Sequence, residues 1–195
     1  KDLRAVQHVK TFTDMGISSL KIEGRTKSFF YAARTAQVYR KAIDDAVAGV
    51  EFNENLLEML DSLSNRGYTE GFFQRHASES MQNYEHGRSV ANQQQFVGDI
   101  IDRDADGLIV DVKNKFGLDD ELELMTPAGN KVFQLKALLD KKSASIDVAP
   151  GSGHVVKIPL SENQLEDSAG KLSDHDQKFA LLMKSVRTPA ETSLV

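Results

Sequence analysis

The spacing at which apolar residues recur changes once along this chain, and that change limits the folds open to it. Up to about Ser64 they return every third or fourth residue, the spacing of helices. From Gln95 to Leu160 they return every second residue, the spacing of half-buried strands. The expected class is therefore α/β followed by all-β, with a boundary between the two.

The first half is organised around Gly16 to Lys41. Ser19-Leu20-Lys21-Ile22-Glu23 alternates, so a buried strand is expected with Leu20 and Ile22 on one face and Ser19, Lys21 and Glu23 on the other. Gly24 breaks it, and Arg25-Thr26-Lys27-Ser28 leads into a helix from about Phe29, with Thr26 or Ser28 as N-cap. Phe29, Ala32, Ala36, Tyr39, Ile43 and Val47 form one stripe that should pack on the sheet, leaving Arg34, Gln37 and Lys41 in water; Gly49 sits at the C-cap. Before this block, Leu3, Val6, Val9, Phe12 and Met15 suggest a helix that Gly16 ends, and after it Leu56, Leu57, Leu60 and Leu63 suggest a short helix capped by Asn53. Helix, strand and helix are too little to close a sheet. The missing strands are expected upstream, so residues 1–64 read as the end of a truncated (β/α) barrel.

Residues 65–94 have no clear period and read as a connector punctuated by Gly67, Gly71 and Gly87, partly ordered by Tyr68, Phe72, Phe73 and Tyr84. Residues 95–186 carry the alternating segments. Leu108, Val110 and Val112 form one, Leu122 and Leu124 another, and Val156, Ile158 and Leu160 a third, with turns at Pro127 to Asn130 and Ala149 to Gly151. Short strands so close together favour a small closed β-barrel. Ser161 to Gln177 reads as polar and mobile, Phe179 to Lys184 as a closing strand, and residues 187–195 as a flexible tail.

Composition narrows the functions. The formal net charge of −5 gives no global positive field for nucleic acid or anionic membranes, and the acidic excess falls after Gln93. There is no cysteine, which excludes disulfides, thiolate zinc sites and iron-sulfur ligation from within these residues. No stretch reaches the roughly 20 apolar residues of a membrane span, so a soluble, cytoplasmic protein is expected. A chain that lacks an initiating methionine and enters directly into helix-like sequence is expected to be a fragment.

Chemistry concentrates at the strand end. In a closed parallel barrel, Lys21 and Glu23 would face the lumen near the mouth with Arg25 beside them, which makes these three the catalytic candidates. The other reading is an ordinary ion pair on an exposed face. Arg25, Thr26, Lys27 and Ser28 combine two cations, two hydroxyls and free amides at a helix N-terminus, a natural anion site if it is more than a solvated helix start. Its glycine spacing is not that of a Walker loop. Arg40 with Asp44 and Lys41 with Asp45 are surface pairs rather than a nucleic-acid track. The histidines show no metal-binding spacing, and Tyr84, Glu85 and His86 are too isolated to assign. In the second half, Lys113 and Lys115 form the one local basic pair that could touch RNA. A structural barrel covering the first domain is the alternative.

The block SLKIEGRTKSFFYAARTAQVYRKAIDDAV at Ser19 to Val47 resembles the collagenase-like peptidases of family U32. NRGYTEGF at Asn65 to Phe72, and QQFVGDI, VKNKF and ELELMTPAGN further on, resemble one branch of it, the likeness weakening after Leu160. That resemblance implies an N-terminal (β/α) barrel with an iron-sulfur cluster on upstream cysteines, then a small β-barrel similar to domain 2 of translation elongation factors. Many relatives have a cysteine after an Asp-Leu pair; here Asp2-Leu3 is followed by Arg4, so cluster ligands would lie outside the chain. The implied activity is either proteolysis, the older label, or oxygen-independent hydroxylation of the tRNA wobble uridine to 5-hydroxyuridine with prephenate as co-substrate. The implied partners are tRNA and the upstream barrel domain of the same polypeptide, with no membrane. Lys21, Glu23, Arg25 and Lys27 match the family block without an assigned role, and the fragment alone is expected to be inactive.

Overall fold

In this computed structural model, residues 1–63, 67–71, 73, 94–166 and 172–186 are described. The chain divides into two compact units, Lys1–Asn92 and Gln93–Val195.

The first unit is helical. A two-residue strand β1 (Asp2–Leu3) leads through a 3-10 turn (Val6–His8) into α1 (Val9–Asp14), followed by α2 (Phe29–Val47) and α3 (Asn55–Asp61). A second short strand, β2 (Tyr68–Thr69), pairs in parallel with β1. Val6, Val9, Val38, Ala42, Leu56, Leu60 and Leu63 make the core. The single helix expected from Leu3 to Met15 is thus shortened, because Asp2 and Arg4 give their amides to the Gly67 and Thr69 carbonyls instead of to a helical turn. Gly16 ends α1 at φ 76°, and Gly49 closes α2 at φ 72° with its amide on the Ala46 carbonyl, both as the sequence suggests.

Two expectations fail here. Ser19 to Glu23 forms no strand, and Leu20 and Ile22 are 37% and 46% exposed. A parallel strand has no hairpin partner next to it in sequence, and among the described residues none lies alongside to take its amides and carbonyls. Helix α2 is also rotated from the expected orientation. Its buried residues are Arg34, Thr35, Val38 and Ala42, while Phe29 and Val47 are exposed. The helix carries two apolar stripes, and the one through Tyr31, Val38, Ala42 and Ala46 wins because α1 and α3 supply the opposing side chains.

The second unit is a six-stranded antiparallel sheet with order β7-β6-β10-β3-β4-β9. Its strands are β3 (Gln94–Arg103), β4 (Gly107–Val112), β6 (Glu121–Thr126), β7 (Gly129–Gln134), β9 (Val155–Pro159) and β10 (Leu181–Ser185). A separate small ladder joins β5 (Phe116–Gly117) to β8 (Val148–Ala149). The alternation read from sequence is the alternation seen. Leu108, Val110, Val112, Leu122, Leu124, Val156 and Ile158 point into one core, and Pro127 and Ala128 form the tip of the β6–β7 hairpin.

Closure is where this unit departs from expectation. Among the described residues the sheet does not close into a barrel: its outer strands β7 and β9 do not pair with each other. The free edge of β9 is met by one bridge, Leu139 to Lys157, with 2.9 Å hydrogen bonds in both directions. Buried Asn163 stitches the chain leaving β7 to the end of β9. Its side-chain oxygen accepts from the Lys136 and Ala137 amides at 2.7 and 3.3 Å, and its NH2 donates to the Ala137 and Pro159 carbonyls at 3.0 and 2.8 Å. The segment expected to be mobile contains α4 (Asp174–Lys178), started by a capping box between Ser173 and Asp176. The tail at 187–195, and Tyr84, Glu85 and His86, lie outside the described residues.

Candidate functional site

Sequence neighbours become spatial neighbours at the loop before α2. The Glu23 carboxylate lies between two cations, 3.5 Å from the Lys21 ammonium and 3.9 Å from the Arg25 guanidinium. All three side chains are more than half exposed. At those distances in water the attraction is weak and easily exchanged, so an incoming carboxylate or phosphate could compete with Glu23 for both cations. Thr26 and Ser28 are exposed, and Ser28 stands at the N-cap position of α2 without capping it through its side chain.

Lys27 turns the other way. Its ammonium meets the largely buried Asp2 carboxylate at 2.8 Å and lies 4.7 Å from the centre of the Tyr31 ring. It ties the loop to β1. In the second unit Lys113 pairs with Asp111 at 2.7 Å and with Asp99 at 3.6 Å, while Lys115 is exposed. Burial pushes the Asp99 carboxyl above its usual value despite that cation, and the Asp111 hydrogen bond raises Lys113.

A second polar constellation, which the sequence reading passed over, joins the 3-10 turn to the segment after β2. His8 Nε2 is 3.1 Å from a Glu70 carboxylate oxygen. Hydrogen bonds from Gln7, then His8, hold the Glu70 carboxyl below its usual value. The His8 ring packs near Phe12 and Phe73, with centroids 6.2 and 5.5 Å away, and the two phenylalanines are 5.3 Å apart. Close by, Arg4 lies 4.6 Å from the centre of the Tyr68 ring and pairs with Asp61, and the Tyr68 hydroxyl donates to the Leu60 carbonyl. The signal was the GYTEGF run. Its partner His8 stands 62 positions earlier, beyond any local spacing rule.

These residues do not fit an iron-sulfur cluster. The chain has no cysteine, and among the described residues no three His, Asp or Glu side chains converge where a metal ion could sit. No described helix is long and apolar enough to cross a membrane.

A helical unit carrying a charged loop before α2, followed by an antiparallel sheet unit, is the arrangement these residues define. The chain belongs to peptidase family U32: the model "Peptidase family U32" matches residues 1–83 and "Peptidase family U32 C-terminal domain" matches residues 92–169. Over 95% of its length it is 52% identical to tRNA hydroxylation protein P of Escherichia coli (strain K12) and 50% identical to the protein of that name from Haemophilus influenzae. It spans 39% and 38% of those two relatives. Among solved structures it is similar to the C-terminal domain of a Geobacillus thermoleovorans protein described as a U32 peptidase, at 19% identity and a TM-score of 0.37, covering 47% of this chain and 93% of that one.

Proposed function

We propose that this chain is the C-terminal part of a cytoplasmic tRNA-modifying enzyme, one that converts the wobble uridine to 5-hydroxyuridine with prephenate as co-substrate. The observation that carries this reading is the 52% identity, over 95% of the chain, to a protein named for tRNA hydroxylation. Such identity along both units leaves the loop chemistry little room to differ in kind. An iron-sulfur cluster, if the enzyme uses one, is held by residues outside this chain.

In this reading Ser19 to Glu23 becomes a strand when the remaining polypeptide supplies its neighbours. Exposed Leu20 and Ile22 and the second apolar stripe of α2 support it, since all would be buried against a (β/α) barrel. Lys21 and Arg25 then offer their charge to a dicarboxylate or a phosphate, with Thr26 and Ser28 as hydroxyl donors, and Glu23 holds the cations until the anion arrives. The chain alone is inactive because the strand end has no surrounding site. Lys113 is spent on two aspartates, which supports a structural rather than RNA-docking role for the sheet unit.

The test is nucleoside mass spectrometry of tRNA from cells lacking the full-length gene, complemented with intact protein or with a Glu23→Gln, Arg25→Ala variant. Loss of 5-hydroxyuridine derivatives, return with the intact protein and no return with the variant are expected. A modification that persists without the gene overturns the reading. Proteolysis, favoured by the description of the family itself, would then be assayed against a protein substrate panel.

A further inference from the structure

The His8–Glu70 constellation is not used by the loop chemistry above, yet it is assembled from two segments far apart in sequence. The 3-10 turn brings Gln7 and His8, α1 brings Phe12, and the run after β2 brings Glu70 and Phe73. Parallel pairing of β1 with β2 fixes the last of these against the first. The rings are tilted at 47° to 56° to one another, so they form a corner instead of a parallel stack. Phe73 is 49% exposed, an unusual state for a phenylalanine held by two other rings.

The carboxylate is equally incomplete. An ionised Glu has about four acceptor positions, of which His8 and Gln7 take two. Its side chain is 39% exposed, and no further donor reaches it among the described residues, which leaves the remaining positions to a ligand. A flat apolar face beside a carboxylate with two free acceptor positions calls for a flat ligand with two parallel N–H donors. Among nucleobases only guanine has that edge, through N1–H and the N2 amino group; adenine and cytosine present one amino group beside an acceptor, and uracil a single N–H between two carbonyls.

We propose that His8, Glu70, Phe12 and Phe73 form a binding site for an unstacked guanine base of RNA, a proposal that rests on the tRNA reading for its source of ligand. The base stacks on the Phe73 face, and its N1–H and N2–H donate to the Glu70 carboxylate. His8 and Gln7 hold that carboxylate in place and are positioning residues. Stacking on an aromatic ring tolerates any base, so discrimination comes from the carboxylate.

The test is titration of the isotope-labelled 195-residue chain with GMP, IMP, AMP and UMP, followed by amide and histidine ring resonances. The phosphate is common to all four, so differences report the base. GMP should shift His8, Glu70 and Phe73 saturably, and IMP, lacking the N2 amino group, should bind several-fold more weakly. Glu70→Gln should cost GMP roughly tenfold in affinity and level the four nucleotides, the size expected for a charge-assisted pair. Phe73→Leu should weaken all four nucleotides together, each spectrum elsewhere remaining that of the folded chain. Equal binding of all four by the unaltered chain overturns the proposal. So does a stronger response at the same residues to N-acetylargininamide, which would mark the corner as a docking point for a protein arginine. Failure here with gene-dependent 5-hydroxyuridine in cells removes only this site; the tRNA reading falls on the mass spectrometry alone.

Discussion

The two units treat their apolar and polar residues in opposite ways. In the sheet unit the alternating aliphatics are sealed: Leu108, Val110, Val112, Leu122 and Leu182 are 0% exposed. Its buried Asn163 has a partner for each bond it makes to the chain around it. In the helical unit Ile17, Leu20, Ile22, Phe29 and Val47 lie open while Arg34 and Thr35 are buried. The buried Thr35 hydroxyl has no hydrogen-bond partner among the described residues. Antiparallel hairpins such as β3–β4 and β6–β7 find their partners a turn away along the chain, with β9 and β10 joining them from within the same unit; a strand of a parallel layer must borrow every partner from far off.

The sharpest way to break that comparison is to delete the same side chain in both units. Leu108→Ala removes a fully buried leucine and should cost about 2–5 kcal/mol in the unfolding of the sheet unit. Leu20→Ala, at a residue 37% exposed, should cost under ~0.5 kcal/mol in this chain. Denaturant melts of the two variants read both numbers. If Leu20→Ala proves as costly as Leu108→Ala, the loop before α2 is packed and the contrast between the units is lost.

Buried polar groups give the next largest contrast. Asn163→Leu strands two amides and two carbonyls at once and should destabilise by about 2–4 kcal/mol. Thr35→Val swaps a buried hydroxyl that has no partner among the described residues for a methyl group and should be neutral or stabilising by up to ~1 kcal/mol. Thermal melts that rank the two the other way would mean that the Thr35 hydroxyl is satisfied in solution. Between these effects falls Gly98→Ala. A methyl group there would sit 2.6 Å from Val110 Cγ1 and 2.9 Å from the Asp111 carbonyl, an overpacking cost of about 1–3 kcal/mol where β3 meets β4.

The same contrast explains what was legible in the sequence. Strands β4, β6 and β7 were readable because each pairs with a strand close in sequence, so local alternation and turn residues carried the register; β9 was legible from its alternation alone, since its partner β4 lies far back in the chain. Helix α2 was readable as a helix, with its glycine end, but not in its rotation. Ala32 and Ala36 against Val38 and Ala42 offered two stripes, and only α1 and α3 decided between them. The site divides likewise. Lys21, Glu23 and Arg25 lie within five residues and the structure brings them together, whereas Lys27 was lost to Asp2 and Glu70 went unnoticed. Those two are paired with residues 25 and 62 positions away, and no spacing rule encodes such a contact.

Asp99 offers the smallest and most specific effect, because it separates burial from pairing within the better-packed unit. It faces Asp111 across β3 and β4, an unfavourable like-charge register that Lys113 bridges. Burial raises the Asp99 carboxyl above its ordinary 3.8, and the Lys113 charge only partly offsets that. A carboxyl raised on folding destabilises the fold when ionised. The cost is absent below 3.8, where both states are protonated, grows as pH climbs to the folded value and is complete above it. Asp99→Asn removes the cost while Lys113 keeps Asp111 at 2.7 Å. The variant should therefore melt slightly above the parent at pH 7 and level with it at pH 3. A variant less stable than the parent at pH 7 would show that the Lys113–Asp99 attraction outweighs desolvation, and that the surface charges of this sheet are paired for stability as its core is packed for it.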